Sequence, residues 1–280
     1  MASNHTVDRI TSALELADSA QWERAFAQLN LARAAADDTL GGVAVDLARA
    51  QVMNEQDWTM CLHDPGRKHD LLEAVDRALT TEPDDRLRAH YLYERGMALH
   101  IDFCMGTPDQ SAELAAFEES AERYHVLGDQ EGEASALAFI GIFHHVDRLD
   151  PDTAWPILMH AYEISPQGVG SVGRYEAARH LGQILHEAGK AEEGLTWLLD
   201  ALEVRAQSGC ARGLAPALHA VGAARMGMGD LEGAGRDLER ARAIAVRYGS
   251  RYFLAFIERT QADLRFRQVL GPHRRGTYKP

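Results

Sequence analysis

Apolar and small residues recur along the chain three or four positions apart, in segments separated by short polar turns, which is the spacing of buried helix faces. The stretch "ARHLGQILHEAGKAEEGLTWLLDALE" (178–203) shows the unit: a first helix with a glycine at its middle, a Gly-containing turn, then a second, acidic and amphipathic helix. Aligning the mid-helix glycines brings together "LYERGMAL", "LAFIGIFH", "ARHLGQIL" and "LHAVGAAR", with Gly96, Gly141, Gly182 and Gly222 at intervals of 45, 41 and 40 residues. The second helices repeat as well, through Ala154, Leu158 and Ala161, Gly194, Leu198 and Ala201, and Ala234, Leu238 and Ala241. The same spacing appears earlier as Ala25, Leu29 and Ala32, and as Leu71, Val75 and Ala78 with Pro83 closing that unit. Helix pairs are expected at about 5–37, 41–81, 84–127, 130–165, 168–208 and 211–248, with a last helix at about 250–270 covering the final apolar face. Residues 59–66, "TMCLHDPG", read as a long turn inside the second pair.

A glycine inside a helix costs about 1 kcal/mol relative to alanine, so several in register need a compensating gain. Close approach supplies it: where one helix lacks a side chain, its neighbour packs against bare backbone.

These units resemble the tetratricopeptide repeat family, whose signature reads W-x2-L-G-x2-Y, then A-x3-F, then P. The nearest match is Leu181-Gly182-x2-Leu185 followed by Gly194-x3-Leu198; the other units keep the glycine and the apolar spacing but seldom the aromatics. The units are longer than the family's repeat of about 34 residues, which resembles the long-helix type of bacterial regulatory and signalling proteins. The resemblance covers about residues 6–248. It implies an all-α, right-handed superhelical solenoid of about six antiparallel helix pairs plus a C-terminal capping helix, with a concave groove lined by the first helix of each pair. Residues 1–270 are then one domain and 271–280 a basic tail. Such a resemblance speaks to fold more than to function.

Composition narrows the functional classes. A net charge of -13 disfavours broad contact with nucleic acid or an anionic membrane, and the basic end "HRRGTYKP" reads as a solvated tail. Three scattered cysteines, Cys61, Cys104 and Cys210, make neither a disulfide framework nor a Cys-rich zinc site, and fit a reducing, cytoplasmic setting. The N-terminal segment has no basic region followed by an apolar stretch, and the longest apolar run, "ALAFIGIF", is too short to cross a bilayer.

Candidate chemistry sits on the face next to each Leu-Gly packing face. It carries His90, Tyr93, Met97 and His100 in the third pair, and Ser135, Ala138, Ile142 and His145 in the fourth. The fifth pair supplies Glu176, Arg179, Gln183 and His186, and the sixth Pro216, His219, Ala223 and Met226. His100, His145 and His186 repeat at the glycine intervals, 45 and 41, and so occupy one structural position in three adjacent units. That row is expected to look into the groove as hydrogen-bonding or titrating groups; duplicated repeats also inherit a residue without its chemistry. Neighbours such as His145 and His186 stand near enough to share an ion, yet no HExxH or clustered cysteine supports a metal, and cofactors stay open.

"DWTM" (57–60) echoes "DFCM" (102–105), with Asp147 another 45 residues on; depending on register, Glu55 or Asn54 joins the histidine row. Trp58 and Phe103 read as apolar plugs where helices turn, with stacking at the groove mouth as the alternative, His144 as an interior histidine, and His63 and His69 as flanking a solvated loop. The cysteines lack an evident basic partner.

The leading expectation is a binding scaffold, an adaptor or ligand sensor. Its groove would hold a peptide, a protein segment or a small polar molecule through His90, Tyr93, His100, His145, Glu176, Arg179, Gln183, His186 and His219. Arg179, a planar fork of donors, suits a carboxylate. The alternative is an enzyme with the groove as reaction chamber and histidines as general acid and base, with or without a metal. An open channel favours the first and a closed pocket the second. A homodimer through groove or terminal surfaces is a third possibility.

Overall fold

A computed structural model describes residues 4–62, 65–106, 111–166 and 171–270. The order is α1 (Asn4–Asp18), α2 (Trp22–Ala35), α3 (Thr39–Met60), α4 (Pro65–Thr81), α5 (Asp85–Cys104), α6 (Ser111–Leu127) and α7 (Gln130–Ile142). A π-helical turn, Phe143–Asp147, extends α7; then come α8 (Pro151–Ile164), α9 (Val172–Glu187) and α10 (Ala191–Gln207). A 3-10 turn, Ala211–Gly213, leads into α11 (Leu214–Met228), followed by α12 (Leu231–Arg247) and α13 (Arg251–Leu270). Among the described residues there is no strand, and no helix is long and apolar enough to cross a membrane. Six antiparallel pairs and a terminal helix stand where the periodicity put them.

Local chemistry fixes the boundaries. Side chains of Asp38, Asp84, Asp129, Ser171 and Asp230 accept backbone N–H bonds from Gly41, Leu87, Gly132, Arg174 and Gly233, satisfying donors a helix start leaves unpaired. At the ends of α9 and α11 the chain turns through Gly189 (φ 79°) and Gly229 (φ 88°), a conformation that suits a residue without a side chain.

The seam of each pair is the close approach the glycines foretell. A Cβ on Gly96 would lie 2.7 Å from the Phe117 ring, and one on Gly141 2.5 Å from Leu158. On Gly182 it would lie 2.7 Å from Leu198 and 2.8 Å from the Gly194 carbonyl oxygen; on Gly222 it would lie 2.9 Å from Leu238. Phe117, Leu158 and Leu238 are fully buried and Leu198 nearly so, each gaining about 2 kcal/mol from leaving water.

The array then closes on itself. Helix α13 packs against α3, and the turn before α11 packs against α1. Arg212 of that turn pairs with Glu55 of α3 and donates from Nε to the Ala17 carbonyl at 3.2 Å. Tyr252 of α13 lies 4.6 Å from the Trp58 ring of α3. First and last units meet around a hollow.

Candidate functional site

The hollow has a volume of about 710 Å³ and is walled by α3, α5, α7, α9, the start of α11, and α13. A cavity of that size takes a small molecule or a short chain end rather than a folded partner. The closing contacts bar one flank of this chamber, which stays partly open to solvent.

Seven of the nine residues singled out from the sequence line it: His90, Tyr93, His100, Glu176, Arg179, Gln183 and His219. His145 and His186 do not, so the expected row of three imidazoles is broken. His145 lies in the π-helical turn Phe143–Asp147. The chamber face of this element runs through Ser135, Phe139 and Ile142 to Val146 and Asp147, so it departs from the expected line at buried Ala138 and again, within the wider turn, at residue 145. His145 is turned inward and buried. His186, in the last turn of α9, packs on α11: a Cβ at Gly227 would lie 2.5 Å from its Cε1. Of the sixth unit's face, Pro216 and His219 reach the chamber and Met226 is buried away from it.

Six carboxylates line the chamber, Glu55, Glu94, Asp129, Glu131, Asp147 and Glu176, against three guanidinium groups, Arg179, Arg205 and Arg212. Two of the arginines are hydrogen-bonded to carboxylates, whereas Arg205 keeps a buried Nε without a hydrogen-bond partner. Arg179 gives both Nε (3.0 Å) and Nη2 (2.6 Å) to one oxygen of Glu176, so part of its donor fork is held by the protein itself. Arg205 lies 3.8 Å from the other Glu176 oxygen and over the Tyr175 ring, and Arg212 holds Glu55. Burial raises the Glu55 pKa against the pull of Arg212.

Beside Tyr93, Glu94 and Glu131 have no lysine or arginine partner among the described residues. Glu94 accepts from Asn54 Nδ2 at 2.8 Å and lies 3.4 Å from His90. Glu131 accepts from Ser135 Oγ at 3.3 Å and from the Val172 backbone N–H at 2.9 Å. Burial, then the charges of Glu94, Glu176 and Glu131, hold the Tyr93 hydroxyl firmly protonated. Its ring stands edge-on to Phe117 and Phe139.

Two histidine arrangements flank this subsite. His100 Nδ1 lies 2.8 Å from Glu113 Oε1 and its Nε2 3.8 Å from Cys104 Sγ, with Trp58 stacked on the ring at 5.6 Å. Burial opposes a charge on His100, yet the bonds to Cys104 and Glu113 outweigh it and lift its pKa to about 10. On α9, His180 Nδ1 meets His145 Nδ1 at 2.9 Å, and His145 Nε2 meets Glu187 Oε2 at 3.2 Å. A carboxylate only accepts, so Nε2 of His145 carries a proton; with both rings neutral, His180 donates from Nδ1 and its Nε2 keeps a lone pair. That Nε2 is buried without a partner, and burial with Arg179 and His145 pushes the His180 pKa well below 6.5. On the α11 side, His219 Nε2 bonds Thr260 Oγ1 at 2.9 Å.

Other readings change as well. Both Asn54 and Glu55 line the chamber, so the two registers weighed for α3 each place one residue there. Trp58 is part of the wall, not a plug at a turn. His69 belongs to α4 and bonds Asp102 at 2.6 Å rather than flanking a solvated loop. The echo positions Asp57 and Asp102 both reach buried Lys68, at 3.1 and 3.6 Å. Cys104 does have a basic neighbour, His100. His144 is half-buried, its ring edge-on to Phe143. His63 and the tail 271–280 lie outside the described residues.

Sequence reasoning passes over Glu94 and Glu113, and raises His180 without giving it a role. Glu94 and His180 each follow a selected residue by one position, on a chamber face wider than a single line of side chains. Glu113 had a signal: it lies four residues before Phe117, the place that Ala154, Gly194 and Ala234 hold before Leu158, Leu198 and Leu238.

No protein-family model and no curated protein sequence matches the chain. Solved structures do. A Rap protein complexed with Competence and Sporulation Factor aligns with a TM-score of 0.62 at 17% identity, over 94% of this chain and 74% of that one. A signal transduction ATPase with numerous domains, carrying a tetratricopeptide repeat sensor, from Pyrococcus horikoshii, gives 0.59 at 12% identity, over 94% of this chain and 41% of that one. BtubC from P. vanneervenii gives 0.52 at 13% identity, over 99% and 97%. These likenesses establish a helical-repeat fold of the tetratricopeptide type and leave the ligand to the site.

Proposed function

We propose that this chain is a binding scaffold that encloses a compact ligand carrying an amine and an apolar body, either a small molecule or the amino end of a peptide. The observation that carries the reading is the chamber wall around Tyr93, where Glu94 and Glu131 stand among aromatic rings and, among the described residues, no lysine or arginine pairs with either. An ammonium there stands near two carboxylates and among the rings of Tyr93, Tyr124 and Phe139, a combination that favours cations over anions. The likeness to a Rap protein complexed with a factor, and to a protein with a tetratricopeptide repeat sensor, supports a ligand-responsive role.

Titration of aryl-alkyl amines and short free-amino peptides, each beside its N-acetylated counterpart, tests the reading through the fluorescence of Trp58 and by calorimetry. The free amines are expected to bind at least tenfold more tightly, and Glu94→Gln and Glu131→Gln to erase that preference. Equal affinity for the acetylated forms, or a preference for carboxylates, sinks it.

A second reading, an enzyme, is favoured by one observation: buried His180 presents an unpartnered Nε2 at a chamber wall, backed by His145 and Glu187. Such an acceptor suits general-base work on a bound O–H or N–H. His180→Gln separates the readings: a scaffold changes only in affinity, whereas an enzyme loses turnover while still binding.

A further inference from the structure

We infer that His100, Glu113 and Asp147 form a binding site for a first-row divalent cation of the zinc, iron or manganese kind, set in the chamber wall beside the amine subsite. One nitrogen of the imidazole and one oxygen of each carboxylate all lie within 4.8 Å of one another. Two ligands on one ion stand at most about 4.2 Å apart, twice a bond of about 2.1 Å, so a shift of roughly half an ångström brings the set to coordination distance.

Two further observations favour an ion over a purely structural cluster. Glu113 Oε2 and Asp147 Oδ2 are both buried with no hydrogen-bond partner, and Glu113 is 0% exposed. A buried carboxylate oxygen without a donor is costly, and a cation answers two of them at once. In addition, Glu113 sits on the seam face of α6, where the units at Leu158, Leu198 and Leu238 carry Ala154, Gly194 and Ala234. Packing alone asks for a small residue there, and a full carboxyl side chain aimed at His100 needs another reason.

The donor set, one nitrogen and two oxygens, suits ions of intermediate hardness. His100 and Asp147 line the chamber while Glu113 closes the site from behind, so the ion has an entry path and its remaining positions face the cavity. This is the three-ligand, open arrangement of ions that meet a ligand or water rather than merely brace a fold.

The test needs no organic ligand and so stands apart from the amine reading. Protein stripped with EDTA is titrated with Zn²⁺, and separately with Mn²⁺, by calorimetry. One equivalent is expected to bind with micromolar or tighter affinity and to raise the melting temperature. Asp147→Asn and Glu113→Gln are each expected to weaken binding at least tenfold, while Glu232→Gln, an exposed carboxylate on α12, leaves it unchanged. If Glu113→Gln fails to fold by circular dichroism, the half-exposed Asp147→Asn decides. Absence of a saturable equivalent, or an equivalent that persists in both variants because it resides on other histidines, overturns the inference. Amine binding measured in EDTA reports on the other proposal alone.

Discussion

At the position that ends the first helix of a pair, α5 places His100 in the chamber wall, whereas the ends of α7 and α9 place His145 and His186 among packed helices. The three residues share a sequence register and not an environment. The seams behind them behave the opposite way, since Gly96, Gly141, Gly182 and Gly222 each meet a large side chain of the second helix at nearly the same separation. Repetition therefore encodes the seam, where each hairpin solves one packing problem, and leaves the wall free to diverge. A local change such as the π-helical turn re-aims a wall residue at little cost to the seam.

The sharpest way to break this contrast is to put bulk into a seam. Gly182→Val sets a branched side chain against Leu198 and against the Gly194 backbone, which cannot rotate away. A cost of about 3 kcal/mol is expected, read as a lower urea midpoint with an unchanged slope. Gly235→Ala, on α12 outside the seam, meets nothing nearer than Leu264 at 3.7 Å. It should instead gain about 0.5–1 kcal/mol through helix propensity. Equal effects at the two glycines would remove the distinction.

Ring closure is the next largest lever. Arg212→Met leaves Glu55 without its guanidinium and frees the Ala17 carbonyl, at an expected cost of about 2 kcal/mol. The radius of gyration from small-angle scattering should rise as the first and last units part, while helix content holds. A seam variant lowers stability without opening the ring.

The helix pairs, the seam and most of the wall were legible because each is written locally and repeated. Gly182 announces its partner at Leu198, and the face of α5 follows from spacing alone. Ring closure was not legible: Arg212 and Glu55 lie 157 residues apart, and no period links them. Nor was the π-helical turn, since "FHHVD" reads equally well as continued α-helix. The site at His100 was half visible. The histidine stands out by register, but its carboxylate comes from α6, a second helix whose role elsewhere is packing. Asp147 stands out by its spacing from Asp102, yet the two part in space: Asp102 holds Lys68, and Asp147 lines the chamber.

A smaller effect sharpens the comparison within the wall. Burial, and then the charge of Arg179, lower the His219 pKa from 6.5 to about 4. Between those values the unfolded chain binds a proton that the folded one refuses. The stability present above pH 6.5 therefore declines as the pH falls, and levels off below 4. His219→Gln, which retains a donor for Thr260, should flatten that acid limb by about 1–2 kcal/mol in denaturation midpoints taken from pH 7 to pH 4. His180, pushed in the same direction, keeps part of the slope, so the limb should shrink without vanishing.

The smallest expected change in stability comes with a sharp change in chemistry. The Glu187 side chain is 66% exposed, so Glu187→Gln should alter stability by no more than about 0.5 kcal/mol. Yet the carboxylate is what obliges His145 to hold its proton on Nε2, and through the Nδ1–Nδ1 contact it sets which nitrogen of His180 is bare. An amide donates as readily as it accepts. With Gln donating to His145 Nε2, the His145 proton moves to Nδ1 and the bare nitrogen of His180 becomes Nδ1 instead of Nε2. Long-range ¹⁵N–¹H spectra should therefore show His180 changing its tautomer balance in the variant while the His100 signals stay in place. If His180 is indifferent to residue 187, the chain Glu187–His145–His180 is packing, and the inward turn of His145 carries no consequence for the chamber.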